Sequence, residues 1–219
     1  MKKIFLNSAI LLFLALPVFS QVLKPVKIDS LVTVSLPRAY HKKDTLGQQT
    51  FSANGLYGYM AVIRAVNAKN NEPLKMEEDL NKVLLDYIKG IQVQSDDGSS
   101  AQNVRDTTIG TLKAKTFTLQ TDNGQGDVEL RNFILLYTTG ATYTFEYVYP
   151  ESRGEVVKGE LKAFVSSIKL SPMLQRNDQY LSNAKGMSPV IKIGLFGGGG
   201  LLIIITIILF IQKKRRLDL

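Results

Sequence analysis

The alternation of apolar and polar positions predicts β-strands in the first part of the chain. Residues 31–36 alternate apolar and hydroxyl side chains with the two-residue period of a strand, and Pro37 closes it. A short strand over residues 49–53 and a turn at Asn54-Gly55 precede a long apolar run over residues 56–66. A run without alternation is typical of a central strand that is covered on both faces.

Two later segments have the three- and four-residue spacing of amphipathic helices. The first lies between Pro73, which a first helical turn tolerates, and Gly90, which is expected to end the helix. The second follows Pro150. The apolar stripes are Met76, Leu80, Val83, Leu84, Tyr87 and Ile88 in the first helix, and Val157, Leu161, Phe164, Val165 and Ile168 in the second.

Between the helices the pattern predicts a three-stranded meander over residues 111–121, 128–137 and 141–149. On its last strand four aromatic residues share one face: Tyr143, Phe145, Tyr147 and Tyr149. An aromatic stripe of this kind either forms core or lines a hydrophobic pocket, and core is favoured because the second helix offers a cover. The order of strands, helix, strands and helix predicts an α+β domain on an antiparallel sheet.

A different pattern begins at residue 193. Nineteen positions over residues 193–211 carry no charge, and a helix of about 1.5 Å rise per residue makes them long enough to cross most of a bilayer core of about 30 Å. Four basic residues follow within residues 213–216, whereas Lys192 alone precedes the run. The positive-inside rule therefore predicts one transmembrane helix with the tail 212–219 in the cytoplasm. Gly194 and Gly198 have the spacing of a helix-pairing motif, but a flexible start of the helix without a pairing partner is favoured, because glycine is common in membrane helices.

The start of the chain has the features of a secretory signal peptide over residues 1–20. Lys2 and Lys3 precede an apolar stretch, and small residues follow Pro17. We therefore expect an exported domain over residues 21–170, a juxtamembrane linker over residues 171–192, and a cell-membrane location in which the exported domain faces the periplasm or the exterior.

The distribution of charge argues against nucleic acid as a partner. The formal net charge is +8, but residues 21–190 hold 20 Lys and Arg against 18 Asp and Glu, so the excess lies in the signal peptide and around the anchor. A near-neutral exported domain gives no electrostatic case for binding nucleic acid. The chain contains no cysteine, so its exported domain depends on its core without disulfides.

Candidate chemistry is sparse. His41, the only histidine, lies in a polar segment beside Lys42, Lys43 and Asp44, and one histidine without cysteine cannot make a common zinc site. Residues 96–98 and 122–127 carry aspartates that suit turns better than calcium, because neither segment completes an EF-hand loop. Ser166 and Lys169 stand three residues apart, as in the Ser-x-x-Lys motif of serine nucleophiles, but the other motifs of that class of enzyme are absent from the sequence. We expect no catalytic residue, metal or cofactor.

Several segments resemble a known family. They are the strand ending in Leu36-Pro37, the step at Ile109-Gly110, the meander ending in TYTFEYVYP, and FVSSIKLSP over residues 164–172. Over residues 29–172 the chain is similar to the PsbP-like group, which includes the DcrB-like bacterial envelope proteins. The resemblance implies an α/β/α sandwich with an antiparallel sheet of six or seven strands, and an accessory or binding role that carries over no functional residue.

These observations predict a non-enzymatic, single-pass membrane protein of the bacterial envelope that binds or supports another envelope component. The alternative is a membrane-tethered domain that binds a small ligand or lipid between sheet and helices. The sequence leaves the oligomeric state open.

Overall fold

The computed structural model describes residues 22–68, 73–95, 99–122 and 128–182. The predicted signal peptide, the predicted transmembrane helix over residues 193–211 and the basic tail lie outside these residues. Within the described ranges no helix is long and apolar enough to span a membrane.

The described elements alternate between strands and two α-helices, with bounds as follows. The strands are β1 (Lys24–Lys27), β2 (Val32–Leu36), β3 (His41–Thr45), β4 (Gln48–Asn54), β5 (Tyr59–Val66), β6 (Leu74–Met76), β7 (Ser100–Ile109), β8 (Leu112–Asp122), β9 (Val128–Tyr137), β10 (Ala141–Pro150), β11 (Lys169–Leu170) and β12 (Tyr180–Ser182). The helices are α1 (Glu77–Gln94) and α2 (Gly154–Ser166).

The central element is a seven-stranded sheet in the order β3-β4-β5-β10-β9-β8-β7. Every neighbouring pair in it is antiparallel, so the predicted antiparallel α+β class is confirmed. A three-stranded sheet, β1-β2-β11, packs over one face of it, and β6 pairs with β12 in parallel.

Two hydrophobic clusters place the helices on opposite faces of the large sheet. Val157 and Phe164 of α2 belong to the same cluster as the predicted aromatic face of β10, and the rings of Phe164 and Tyr147 lie 6.2 Å apart. On the other face, α1 packs on β8 and β9 through its buried stripe of Leu80, Leu84 and Ile88. The predicted core role of the aromatic face is therefore confirmed for Tyr143, Phe145 and Tyr147, which are buried.

Helix α1 is longer than the sequence predicted. Gly90 does not end it, because the partly buried Ile91 extends the apolar stripe, and the helix continues to Gln94. The backbone N–H of Ser95 then closes the last turn on the carbonyl oxygens of Ile91 and Gln92. At the other end, the side chain of Asp79 accepts a hydrogen bond from the backbone N–H of Met76 at 3.0 Å. Three acidic residues in the first turn also stabilise the helix through their interaction with the positive end of its dipole. Pro73 lies before β6, outside the helix.

Both edges of the large sheet differ from the prediction. The segment around His41, expected as a loop, is the edge strand β3, and all five of its residues are exposed. The other edge, β7, begins at Ser100 and contains an irregularity between Gln102 and Arg105. An edge strand facing water on both sides shows no alternation, so periodicity cannot detect it.

The prediction of a linker from residue 171 is wrong over residues 171–182, because these residues fold onto the domain. Leu174 is buried in the cluster that contains α2, whereas Tyr180 is buried in the cluster that contains α1. Between them the side chain of Gln179 donates to the carbonyl oxygens of Lys113 and Tyr137 and accepts the backbone N–H of Lys113. The segment therefore crosses from one face of the large sheet to the other and is fixed at both.

Candidate functional site

A cleft of about 640 Å³ lies between α1 and the part of the sheet that α1 leaves uncovered. Part of its floor is made by Ile63 of β5 and Thr144 of β10, which the strand register aligns. In the next aligned row, Glu146 of β10 lies opposite Phe133 of β9, and both of these residues line the cleft. A strand floor beside a helix wall leaves a concave space, which is the usual shape of a binding site. We call this space the α1 cleft.

The α1 cleft contains a buried ion pair. The Nε atom of Arg131 donates to Oε1 of Glu146 at 2.6 Å, and the Glu146 side chain is 8 % exposed. The Arg131 guanidinium also lies 5.2 Å from the ring centroid of Phe133 and within 3.4 Å of the hydroxyl of Ser95. Arg131 therefore neutralises the charge of the Glu146 carboxylate and fixes its position. A polar group fixed in this way can orient a molecule bound in the cleft.

The helix wall of the α1 cleft offers apolar and hydrogen-bonding groups together. Val83, Tyr87 and Ile91 stand one turn apart, and Gly90 lies between the last two. Burial raises the pKa of Tyr87, so its phenol remains a neutral hydrogen-bond donor at physiological pH. A Cβ atom added at Gly90 would meet no atom within 4 Å, so the glycine leaves open space on the helix surface.

A second groove of about 530 Å³ lies between α2, the β1–β2 sheet and the loop that precedes β5. Its only carboxylate, Glu160, is fully engaged in holding that loop. It accepts the backbone N–H groups of Leu56 at 2.7 Å and Tyr57 at 2.9 Å, and the hydroxyl of Tyr147 at 2.7 Å. Burial, followed by this hydrogen bond, raises the pKa of Tyr147. The polar group in this groove is structural, so we favour the α1 cleft.

Another charged network ties β2 to the large sheet. Asp29 accepts the backbone N–H groups of Leu31 and Val32 through one oxygen, and Arg64 and the Tyr143 hydroxyl through the other. Burial would raise the pKa of Asp29, but these hydrogen bonds outweigh it and hold the pKa below its ordinary value of 3.8. Every partner in this network stabilises the fold.

The structure does not bring His41 to the α1 cleft. His41 lies opposite Ser52 on the exposed edge strand, on the same sheet face as Glu146. Three strand spacings of about 4.8 Å separate their backbones, or roughly 14 Å. That separation is too long for direct proton transfer between them.

Ser166 and Lys169 also fail to form a site. The Ser166 hydroxyl donates to the carbonyl oxygen of Ala163 in the last turn of α2, and Lys169 lies exposed on β11. Residues 96–98 and 123–127 lie outside the described ranges, so the candidate calcium turns are not seen. Within the described ranges no three His, Asp or Glu side chains are grouped to hold a metal ion.

Arg131, Glu146 and Tyr87 belong to no sequence motif, and none of them was predicted as a site residue. One signal was available: the turn at Thr139-Gly140 fixes the register of β9 and β10, which places Glu146 opposite Phe133. Arg131, two positions along β9, then lies on the same face. Opposite charges on one face of two otherwise apolar strands indicate an ion pair that is held in place under the element packed on that face.

The chain is similar to solved structures rather than to known sequence families. No protein-family model matches the chain, and no curated protein matches it. One similar structure is the solution structure of cyanobacterial PsbP from Synechocystis sp. PCC 6803, at 18 % identity and a TM-score of 0.48, covering 72 % of this chain and 97 % of that one.

Two further solved structures are less similar to this chain. LpqN of Mycobacterium tuberculosis, described as involved in cell envelope biogenesis, has 12 % identity and a TM-score of 0.43, covering 68 % of this chain and 90 % of that one. A protein of Bacteroides thetaiotaomicron has 12 % identity and a TM-score of 0.38, covering 65 % of this chain and 46 % of that one. The neighbours include a PsbP, the kind of protein that the sequence resembles, but likeness at this level carries no argument about a ligand or partner.

Proposed function

We propose that the chain is a non-enzymatic, single-pass membrane protein of the bacterial envelope, whose exported PsbP-like domain binds another envelope component through the α1 cleft. The sequence supports the topology through its signal peptide, its uncharged run over residues 193–211 and the basic residues that follow. Among the residues that the structure describes, His41, Ser166 and Lys169 are not grouped into a catalytic site, and this arrangement favours binding over catalysis.

The α1 cleft is the observation that carries the binding role. It combines a partly hydrophobic helix wall, Thr144 on the floor and a fixed Arg131–Glu146 pair, while the networks of Asp29 and Glu160 serve the fold. A partner that inserts an apolar side chain beside Tyr87 can also present hydrogen-bonding groups to Thr144 and Glu146. Such a combination gives orientation as well as affinity.

Two helix-interior glycines allow a matched test. Gly90 lines the α1 cleft and Gly159 lines the second groove, and in both a Cβ atom would meet nothing within 4 Å. Gly90→Phe should fill the α1 cleft and abolish capture of the partner by crosslinking in native membranes, while Gly159→Phe should leave capture unchanged. Equal capture by wild type and Gly90→Phe would reject the α1 cleft as the binding site.

A small ligand is the second candidate for the α1 cleft. Its volume of about 640 Å³ falls within the range of about 300–1,000 Å³ that is usual for small-molecule pockets. A ligand retained by the purified protein in native mass spectrometry, and lost in Gly90→Phe, would support this candidate. No retained mass, and no thermal shift across a panel of lipids and other small molecules, would refute it.

A further inference from the structure

One end of the large sheet is where the described chain leaves the domain. The β3–β4 turn at Leu46-Gly47 and the β9–β10 turn at residues 138–140 lie side by side there, since the backbone N–H of Val66 donates to Gly47 and that of Asn67 to Gly140. The segment over residues 173–182 crosses the same end, because the backbone N–H of Thr139 donates to Asp178. We call this the exit end of the domain.

The folded segment brings the domain close to the predicted anchor. Ser182 is fixed in β12, opposite Met76 at the start of α1. Only residues 183–192 separate it from the uncharged run that begins at Ile193. A segment of that length reaches at most about 35 Å when fully extended, roughly half the reach of the whole predicted linker over residues 171–192.

The exit end also exposes large apolar side chains. Leu46 at the hairpin tip is fully exposed, Met173 is 79 % exposed, and Leu181 and Val66 are about half exposed. Leu46 also has a φ of 40°, a left-handed conformation that a branched apolar residue rarely adopts. An asparagine or glycine would fit this turn without strain, so local folding does not explain a leucine here.

We propose that the exit end rests on the outer surface of the lipid bilayer, with Leu46, Met173 and Leu181 entering its interfacial layer. The inference rests on the proposed transmembrane anchor, because the anchor limits how far the exit end can stand from the membrane. Partial insertion of a few apolar side chains is weak on its own, but a tether of about 35 Å supplies a high local concentration of membrane. The α1 cleft extends from Gln48, beside the Leu46-Gly47 turn, to Gln94 and Ser95 at the opposite end of α1, so its far part lies away from the exit end.

The absence of cysteine makes the test direct, because a single introduced cysteine takes one environment-sensitive fluorophore. The full chain is reconstituted in vesicles of phosphatidylcholine and phosphatidylglycerol, and co-flotation with the vesicles is measured first. Labels at Leu46→Cys, Met173→Cys and Leu181→Cys should show a blue-shifted emission and quenching by lipids that carry a spin label near the head group.

Val93→Cys is the matched control. Val93 is 83 % exposed, similar to Met173, and lies about 24 Å along α1 from Glu77, away from the exit end. Its label should be neither shifted nor quenched. Co-flotation with no quenching at the exit end, or with equal quenching at Val93, would overturn the inference and leave the proposed function intact. Failure to co-float would overturn the anchor and, with it, both proposals.

Discussion

Replacing Tyr147 with Phe and Glu160 with Gln, singly and together, tests whether one carboxylate fixes the loop before β5. Tyr147→Phe removes a hydrogen bond between a buried hydroxyl and a carboxylate, which should cost about 1.5 kcal/mol of unfolding free energy. Glu160→Gln keeps the volume, but in either orientation its amide NH₂ meets the backbone N–H of Leu56 or of Tyr57, which is also a donor. We expect that change to cost about 2 kcal/mol.

The double variant separates a specific contact from general disruption. Once Glu160 is replaced by Gln, the Tyr147 hydroxyl has already lost its charged partner, so Tyr147→Phe costs less in that background and the combined loss should fall short of the sum by about 1 kcal/mol. The assay is urea unfolding of residues 22–182, followed by far-ultraviolet circular dichroism. Glu155→Gln is the control, because Glu155 lies on the same helix and pairs only with Lys158 at the surface. Additive losses, within about 0.3 kcal/mol, would refute the shared contact.

Four further substitutions test other parts of the fold. Leu46→Asn should stabilise the domain by about 1 kcal/mol, because asparagine tolerates the left-handed conformation at this turn; an unchanged or lower melting temperature would contradict that explanation. Asp29→Asn should destabilise the domain at neutral pH. The pKa of Asp29 is lower in the folded state, so its contribution is present above 3.8 and is lost as the pH falls through the folded value; urea unfolding at pH 7 and at pH 3 should therefore show a smaller difference between wild type and variant in acid. Gly90→Ala and Gly159→Ala should each raise stability by about 0.5–1 kcal/mol in thermal unfolding, since both Cβ positions are open, and a loss at either would show that the space there is not free.

The sequence predicted those parts of the fold in which burial imposes a period. β10 and α2 are clear cases: alternation along the strand and a three- to four-residue stripe along the helix follow from their contact with one core. The edge strand β3 has no buried residue, so nothing in its sequence distinguishes it from a loop. Its pairing with β4 depends on the turn at Leu46-Gly47, whose first residue is not typical of such turns.

The prediction of a linker was wrong over residues 171–182 for a different reason. Over residues 171–182, polar residues are fixed by the backbone of distant strands, as when Gln179 bonds to Lys113 and Tyr137. Hydrogen bonds of this kind leave no periodic signal in the segment itself. The two buried side chains that bracket Gln179, Leu174 and Tyr180, face different clusters and are too few to make a stripe.

The candidate site follows from how each helix covers only part of its face of the sheet. On the α2 side, the uncovered part of β8 and β9 is filled by polar side chains that bond to one another, as Thr118 does to Asn132. On the α1 side, Ile63, Thr144 and the Arg131–Glu146 pair lie beside the helix wall, and a concave space remains. Because helix placement creates this space, the site needs no sequence motif. A domain can therefore have a concave surface of this kind without any recognisable motif in its sequence.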